Sequence, residues 1–211
     1  MTGRIIQLRG PSGSGKTTVM RWVMETLGTP VRIRSKDDPT RRSPSLLAWP
    51  KYKVAVIGHY DVLCGGCDTI RSRERPFELA RQAADQGATV LLEGLFTTME
   101  FHRTVALHND DYERHDIFIR PPEAECRRNV EARRVSQGKE IKEQKQMAEY
   151  YRRVARTLER LQLAGLPNLT WLEGPTAEIG EQAVKLILRL ALPDLASGGT
   201  IPAGAAAPIV V

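Results

Sequence analysis

The sequence predicts an α/β domain built as a three-layer sandwich around a central parallel sheet. Three observations carry that reading. Short apolar runs of strand length recur between stretches with the 3.6-residue spacing of amphipathic helices. A glycine-rich turn joins the first such run to the first helical stretch. The chain has 211 residues, 41% of them apolar and 27% charged, which suits one soluble domain that needs no disulfide or structural metal.

Ile5 to Leu8, bounded by Arg4 and Arg9, reads as a buried parallel strand. The helix after the glycine-rich turn aligns Val19, Trp22, Val23, Thr26 and Leu27 and stops at Gly28. Val31 to Arg34 is a short second strand. Residues 36–50, rich in Pro, Ser and charge, read as a loop. Lys53 to Ile57 is a strand, and a glycine-containing loop follows over 59–72. Pro76 opens a helix that runs to about Gln86, with Gly87 as its stop. Ala88 to Leu92 is a strongly apolar strand ending in Glu93-Gly94. A helix through 98–108, a strand over Asp116–Ile119 and a helix from Glu123 to about Ser136 come next. A long helix then aligns Met147, Tyr151, Val154, Leu158 and Leu161. Leu169 to Leu172 is the last strand, and the closing helix aligns Ile179, Ala183, Leu186, Ile187 and Leu190. Strands alternating with helices imply parallel crossovers and a sheet covered on both faces. The domain is expected to span residues 1–193, leaving 194–211 as a flexible tail of small residues.

The net charge of +6 is localised. Residues 31–53 carry +5, residues 120–160 carry +5, and the rest of the chain is slightly acidic. Two basic segments on an acidic body fit a polyanionic partner such as a nucleotide or nucleic acid. Aromatic content of 6% argues against a protein that works by stacking many single-stranded bases. Three cysteines, the absence of a signal-peptide pattern and the absence of a membrane-spanning run predict a cytosolic protein.

The strongest motif is Gly10-Pro11-Ser12-Gly13-Ser14-Gly15-Lys16-Thr17, which fits G-x-x-x-x-G-K-[ST] at every fixed position. It lies between a strand and a helix, where its backbone N–H groups and the helix N-terminus can cradle phosphate. Gly10 to Lys16, Thr17 and Thr18 form the expected ATP-binding set. Lys16 reaches the β- and γ-phosphates, and the Thr17 hydroxyl holds Mg²⁺. No N-K-x-D guanine-reading motif is present, and the chain is short for a motor, which favours a kinase.

Glu93 closes the strand beside the phosphate loop, where an acidic residue positions Mg²⁺ or orients a nucleophile. Asp37 and Asp38 follow the second strand. Either Asp37 or Glu93 is expected to accept the proton of an attacking hydroxyl. Arg127, Arg128, Arg133 and Arg134 share one predicted helix within a lid over about residues 121–146, and Arg133 and Arg134 are expected to neutralise the transferring phosphoryl group. The string from Gly58 to Thr69, GHYDVLCGGCDT, reads as a substrate loop with Tyr60, Asp61, Gly65, Gly66 and Asp68 as its contacts. Cys64 and Cys67 form a single C-x-x-C with no second pair, which argues against zinc.

The phosphate loop, the Glu-Gly strand end and FIRPPEAECRRNVEARR together resemble thymidylate-kinase-like P-loop kinases. The 58–72 string is similar to bacteriophage P-loop kinases, in particular 5-hydroxymethyluracil DNA kinases. The resemblance covers about residues 4–190. It implies a P-loop nucleotide-kinase-like fold with an Arg-rich helical lid. It also implies ATP-dependent phosphorylation of the hydroxymethyl group of 5-hydroxymethyluracil in DNA, a step toward hypermodified thymidines that evade restriction. Arg41 and Arg42 are then expected to contact DNA phosphates. Two rival readings remain open from the residues: a small-molecule nucleoside or nucleotide kinase, and an ATP-dependent DNA-binding module without kinase activity.

Overall fold

The computed structural model describes residues 3–34, 45–108, 110–141 and 144–193. Seven strands form one sheet: β1 (Arg4–Arg9), β2 (Val31–Ile33), β3 (Leu46–Trp49), β4 (Val54–Ile57), β5 (Thr89–Glu93), β6 (Glu113–Arg120) and β7 (Leu169–Glu173). Their spatial order is β2-β3-β4-β5-β1-β6-β7. The five strands from β4 to β7 in that order are parallel, while β2 with β3 and β3 with β4 are antiparallel. The expected parallel sheet is therefore a mixed one, extended at one edge. The helices are α1 (Lys16–Leu27), α2 (Arg75–Asp85), α3 (Leu95–Met99), α4 (His102–His108), α5 (Glu123–Ser136), α6 (Gln144–Leu163) and α7 (Thr176–Ala191). Among the described residues no helix is long and apolar enough to cross a membrane.

The antiparallel edge corrects the loop expected over 36–50. Leu46 to Trp49 is a strand with all four residues buried. A strand buried on both faces shows no alternation, and the charged residues before it disguise its short apolar run. The Trp49 indole N–H donates to the Gly28 carbonyl at 2.8 Å, tying this edge to the end of α1. The single helix expected over 98–108 is two helices, α3 and α4, because Glu100 leaves the helical conformation.

The two sheet faces are covered separately. Ile6, Leu8, Val54, Val56, Leu91, Ile117 and Ile119 pack with α1 and α7. Ile5, Ala55, Ile57, Val90 and Leu92 pack under α2 with Leu107 of α4. Phe118 packs with Leu158 and Leu161 of α6. The period-2 alternation of β1 puts Gln7 and Arg9 on the same face as Ile5. These two polar residues are fully buried and must find partners.

Their partners form one network. The Asp116 carboxylate accepts from Arg9 Nε at 2.6 Å and from Arg114 Nε and Nη2 at 2.9 and 3.0 Å, and lies 2.8 Å from His108 Nε2. Arg9 also donates to the Thr97 and Thr98 carbonyls at 3.0 and 2.9 Å and to Gln7 Oε1 at 2.9 Å. Burial opposes ionisation of Asp116, but the guanidiniums of Arg114 and Arg9 override it and hold the carboxyl far below the usual range. Asp116→Ala should therefore destabilise the fold by about 3–5 kcal/mol, because it leaves two buried cations without their counter-ion. Urea denaturation at pH 7 measures this loss. A change below about 1 kcal/mol would show that the network contributes little to stability.

Candidate active site

The site gathers at the C-terminal ends of β1, β5 and β4, the crevice where parallel sheets of this kind bind ligands. In the parallel register Leu8 pairs with Glu93, so the phosphate loop leaves β1 beside the Glu93 carboxylate. Gly13 and Gly15 have φ of 83° and 90°, a region side chains rarely adopt. Gly13 also lies hard against the Cys126 carbonyl of α5, so no side chain fits there. Lys16 is almost fully buried. Its ammonium donates back to the Gly10 and Pro11 carbonyls at 2.8 and 2.9 Å. The Ser14 hydroxyl is buried with no protein partner, an open polar group inside the loop. These features fit a phosphate ligand, since the loop offers backbone donors, a buried ammonium and an unsatisfied hydroxyl around one concavity.

The Thr17 hydroxyl donates to Glu93 Oε1 at 3.0 Å. These two oxygen-bearing side chains fit a hard divalent cation, which takes oxygen ligands. Burial pushes the Glu93 carboxyl up to about 7; the nearby Lys16 ammonium opposes that rise and Asp68 adds to it. Lys16 is lowered by burial, with Glu93 and Asp68 working against the shift. Burial and the Glu93 charge together raise the Tyr60 phenol well above its ordinary value. The buried Tyr60 hydroxyl faces the Glu93 carboxylate without closing a hydrogen bond of regular geometry.

The loop after β4 covers this carboxylate. Gly66 has φ of 71°, and a Cβ there would lie 2.6 Å from the Glu93 carbonyl and 2.7 Å from Glu93 Oε1. Gly65 packs against the Tyr60 ring. Only glycine lets the backbone pass this close, which gives the Gly65-Gly66 pair its physical reason.

The expected substrate residues separate into groups. Tyr60 and Gly66 lie against Glu93, while Gly65 packs on the Tyr60 ring. Asp68 accepts from the Leu95 N–H with both carboxylate oxygens, at 3.0 and 2.9 Å, and so caps α3. Asp61 is half exposed and ion-paired with Arg32 of β2. Its carboxylate is held below the ordinary range mainly by that hydrogen bond. Asp37, Arg41 and Arg42 lie outside the described residues.

On α5 the two expected arginines diverge. Arg133 Nη2 reaches Ser12 Oγ at 3.4 Å, and the neighbouring Asn129 side chain donates to the Gly13 carbonyl at 2.9 Å. Arg134 turns the other way and donates to the Glu140 carbonyl. Adjacent helical residues point about 100° apart, so the pair cannot serve one point from this arrangement. Arg127 lines a groove beside Pro11 and Ser12 with Tyr150 and Tyr151. Sequence reasoning missed Asn129 and the grip of Arg9 on α3. Gly10 N–H approaches Thr98 Oγ1 at 3.4 Å, so that grip adjoins the phosphate loop.

Comparison with known proteins places these features in context. The family described as an AAA domain matches residues 5–157. The chain is similar to a protein of Pseudomonas phage PaMx11 named 5-hmdU DNA kinase, with 34% identity over 171 residues, covering 78% of this chain and 88% of the relative. A gluconokinase from Sinorhizobium meliloti 1021 aligns over 94% of this chain and 98% of its own, at 16% identity and a TM-score of 0.48. The YorR protein from Bacillus subtilis, solved with phosphorylated GDP, aligns over 93% of this chain and 99% of its own, at 13% identity and a TM-score of 0.44.

Proposed function

Because this chain belongs to the AAA domain family, and to the same family as the phage 5-hmdU DNA kinase, we propose that it transfers the γ-phosphoryl group of ATP to the hydroxymethyl group of 5-hydroxymethyluracil in DNA. It is a nucleotide-binding phosphotransferase, a kinase. The observation that carries the active-site assignment is the meeting of Lys16, Thr17, Glu93 and Tyr60 beneath Gly66. On this reading the product belongs to phage DNA modified in the host cytoplasm to evade restriction.

The phosphate loop holds the ATP phosphates, and Lys16 exchanges its two backbone carbonyls for phosphate oxygens. Thr17 and Glu93 would hold Mg²⁺, which would supply charge neutralisation for the transferring phosphoryl group. Glu93 is also placed to accept the proton of the acceptor hydroxyl. Asp37 is the other candidate for that proton. Gly65, Gly66 and Tyr60 form the wall against which the acceptor lies, and Asp68 fixes α3 behind it. Arg133 brings positive charge to the edge of the loop.

Arg133→Ala is expected to slow transfer about 100-fold, whereas Arg134→Ala stays within about threefold of the parent. Single-turnover rates at saturating ATP make the comparison, and equal losses would contradict the division of roles between the two arginines.

The deciding experiment supplies γ-labelled ATP with four separate acceptors: 5-hydroxymethyluracil DNA, unmodified DNA, free nucleosides and free nucleotides. The proposal expects label in the modified DNA alone. Label in a free nucleoside or nucleotide would instead establish a small-molecule kinase. DNA binding without label in any acceptor would indicate a binding module.

A further inference from the structure

We propose that Val62 and Leu63, at the tip of the β4–α2 loop, form a wedge that enters the base stack of duplex DNA and holds open the gap left by the acceptor base. This inference rests on the DNA-kinase reading and specifies how that site reaches a base inside a duplex. The 5-substituent of uracil lies in the major groove, while transfer occurs in a site closed around ATP. Enzymes that act on a base in a duplex take it out of the stack, and apolar side chains inserted between base steps stabilise the distortion.

Four observations point to the wedge. Val62 is 48% exposed and Leu63 50% exposed, and among the described residues they are the only adjacent pair of large apolar side chains so exposed. The tip is held in place by its neighbours. His59 and Gly66 pair as antiparallel backbone, with Gly66 N–H donating to the His59 carbonyl at 3.0 Å. Arg21 of α1 donates to the Val62 carbonyl at 2.7 Å, so the helix that begins with Lys16 also grips the tip.

The base of the same loop is the wall of the candidate acceptor site. Tyr60 and Gly66 both lie against Glu93, on either side of the tip in sequence. The surrounding charge suits DNA. Asp61 is neutralised by Arg32, and Asp68 is engaged at the start of α3. The loop continues through Arg71 and Arg73, both exposed and without an acidic partner among the described residues. An apolar tip with a cationic rim complements stacked bases flanked by phosphates.

The test compares initial phosphorylation rates on one 5-hydroxymethyluracil oligonucleotide in three forms: single-stranded, in a matched duplex, and in a duplex mismatched at the modified base. Val62→Ala/Leu63→Ala should lose about 10- to 100-fold on the matched duplex and less on the mismatched one. Its single-strand rate should stay within about twofold. Leu63→Phe should retain duplex activity, since an apolar side chain of sufficient size remains. A second readout is independent of transfer: 2-aminopurine beside the modified base should brighten when the parent protein binds the duplex, and should brighten less with the double variant.

Equal losses on single strand and duplex would overturn the wedge, as would an undiminished duplex rate. If the parent protein labels neither form, the DNA-kinase reading fails and the wedge fails with it. If it labels both forms and the variant shows no duplex-specific loss, the wedge alone fails.

Discussion

Lys16→Ala should lower phosphoryl transfer by about 10³-fold or more. The ammonium is the one side-chain charge within residues 10–17, and its contribution is largest where water is excluded. Its present partners, the Gly10 and Pro11 carbonyls, are backbone groups that the loop can return to solvent. The fold should therefore survive, and circular dichroism should match the parent. The variant also removes the cation that opposes the upward shift of Glu93, so that carboxyl should titrate above its present value of about 7. Single-turnover transfer with labelled ATP measures the first effect, and retention of near-parental activity would show that the loop is not the phosphate site.

Glu93→Gln should produce opposite changes in activity and stability. Loss of the proposed proton acceptor and metal-holding oxygen should slow transfer at least 100-fold. Stability should rise, and the sign follows from linkage. The folded carboxyl titrates at about 7 against an ordinary 4.5, so the native state holds its proton where the unfolded chain has released it. That contribution is fully present below pH 4.5 and is lost as the pH rises through 7. The parent protein thus carries about 3 kcal/mol of destabilisation at pH 8.5, and under about 1 kcal/mol at pH 5. Glutamine, which never ionises, removes this cost. Urea denaturation of both proteins without ATP should show the variant more stable at pH 8.5, with the difference shrinking at pH 5. A difference independent of pH would mean that Glu93 is ionised throughout the range. Testing the variant across Mg²⁺ concentrations separates the two roles: a shifted metal requirement reports cation binding, and a slowed rate at saturating metal reports proton transfer.

The phosphate loop was legible because its chemistry is local: eight consecutive residues between a strand and a helix contain every fixed position. Glu93 was legible from its place at the end of an apolar strand, although its meeting with Thr17 depends on strand order. The sequence marks Gly65 and Gly66 only as substrate-loop contacts, because what their backbone approaches is set by a loop folding back across β5. The Arg9–Asp116 network stayed hidden because its members lie 107 residues apart. Its trace was nonetheless present in β1, where polar side chains at alternate positions of a buried strand required partners. Arg133 and Arg134 look equivalent in sequence, and only the docking of α5 gives one of them the phosphate loop. The strand at Leu46–Trp49 was missed because burial on both faces erases alternation.

The Arg9 guanidinium has a mechanical consequence. It clamps the carbonyl end of α3 to the tip of β1, and the Asp68 carboxylate pins the other end of α3 to the loop above it. The wall of the proposed acceptor site and the root of the phosphate loop are thereby cross-braced into one stiff frame. The hydrogen bonds from α5 are fewer: one amide and one long arginine contact reach the loop, beside the packing of Gly13 on the Cys126 carbonyl, and the helix ends at Ser136, two residues before Gly138, where an added Cβ would touch nothing. Compliance is thus uneven around the site. Substitutions at Arg9 would therefore disturb the alignment of the loop after β5 with the root of the phosphate loop, whereas substitutions along α5 would leave that frame intact.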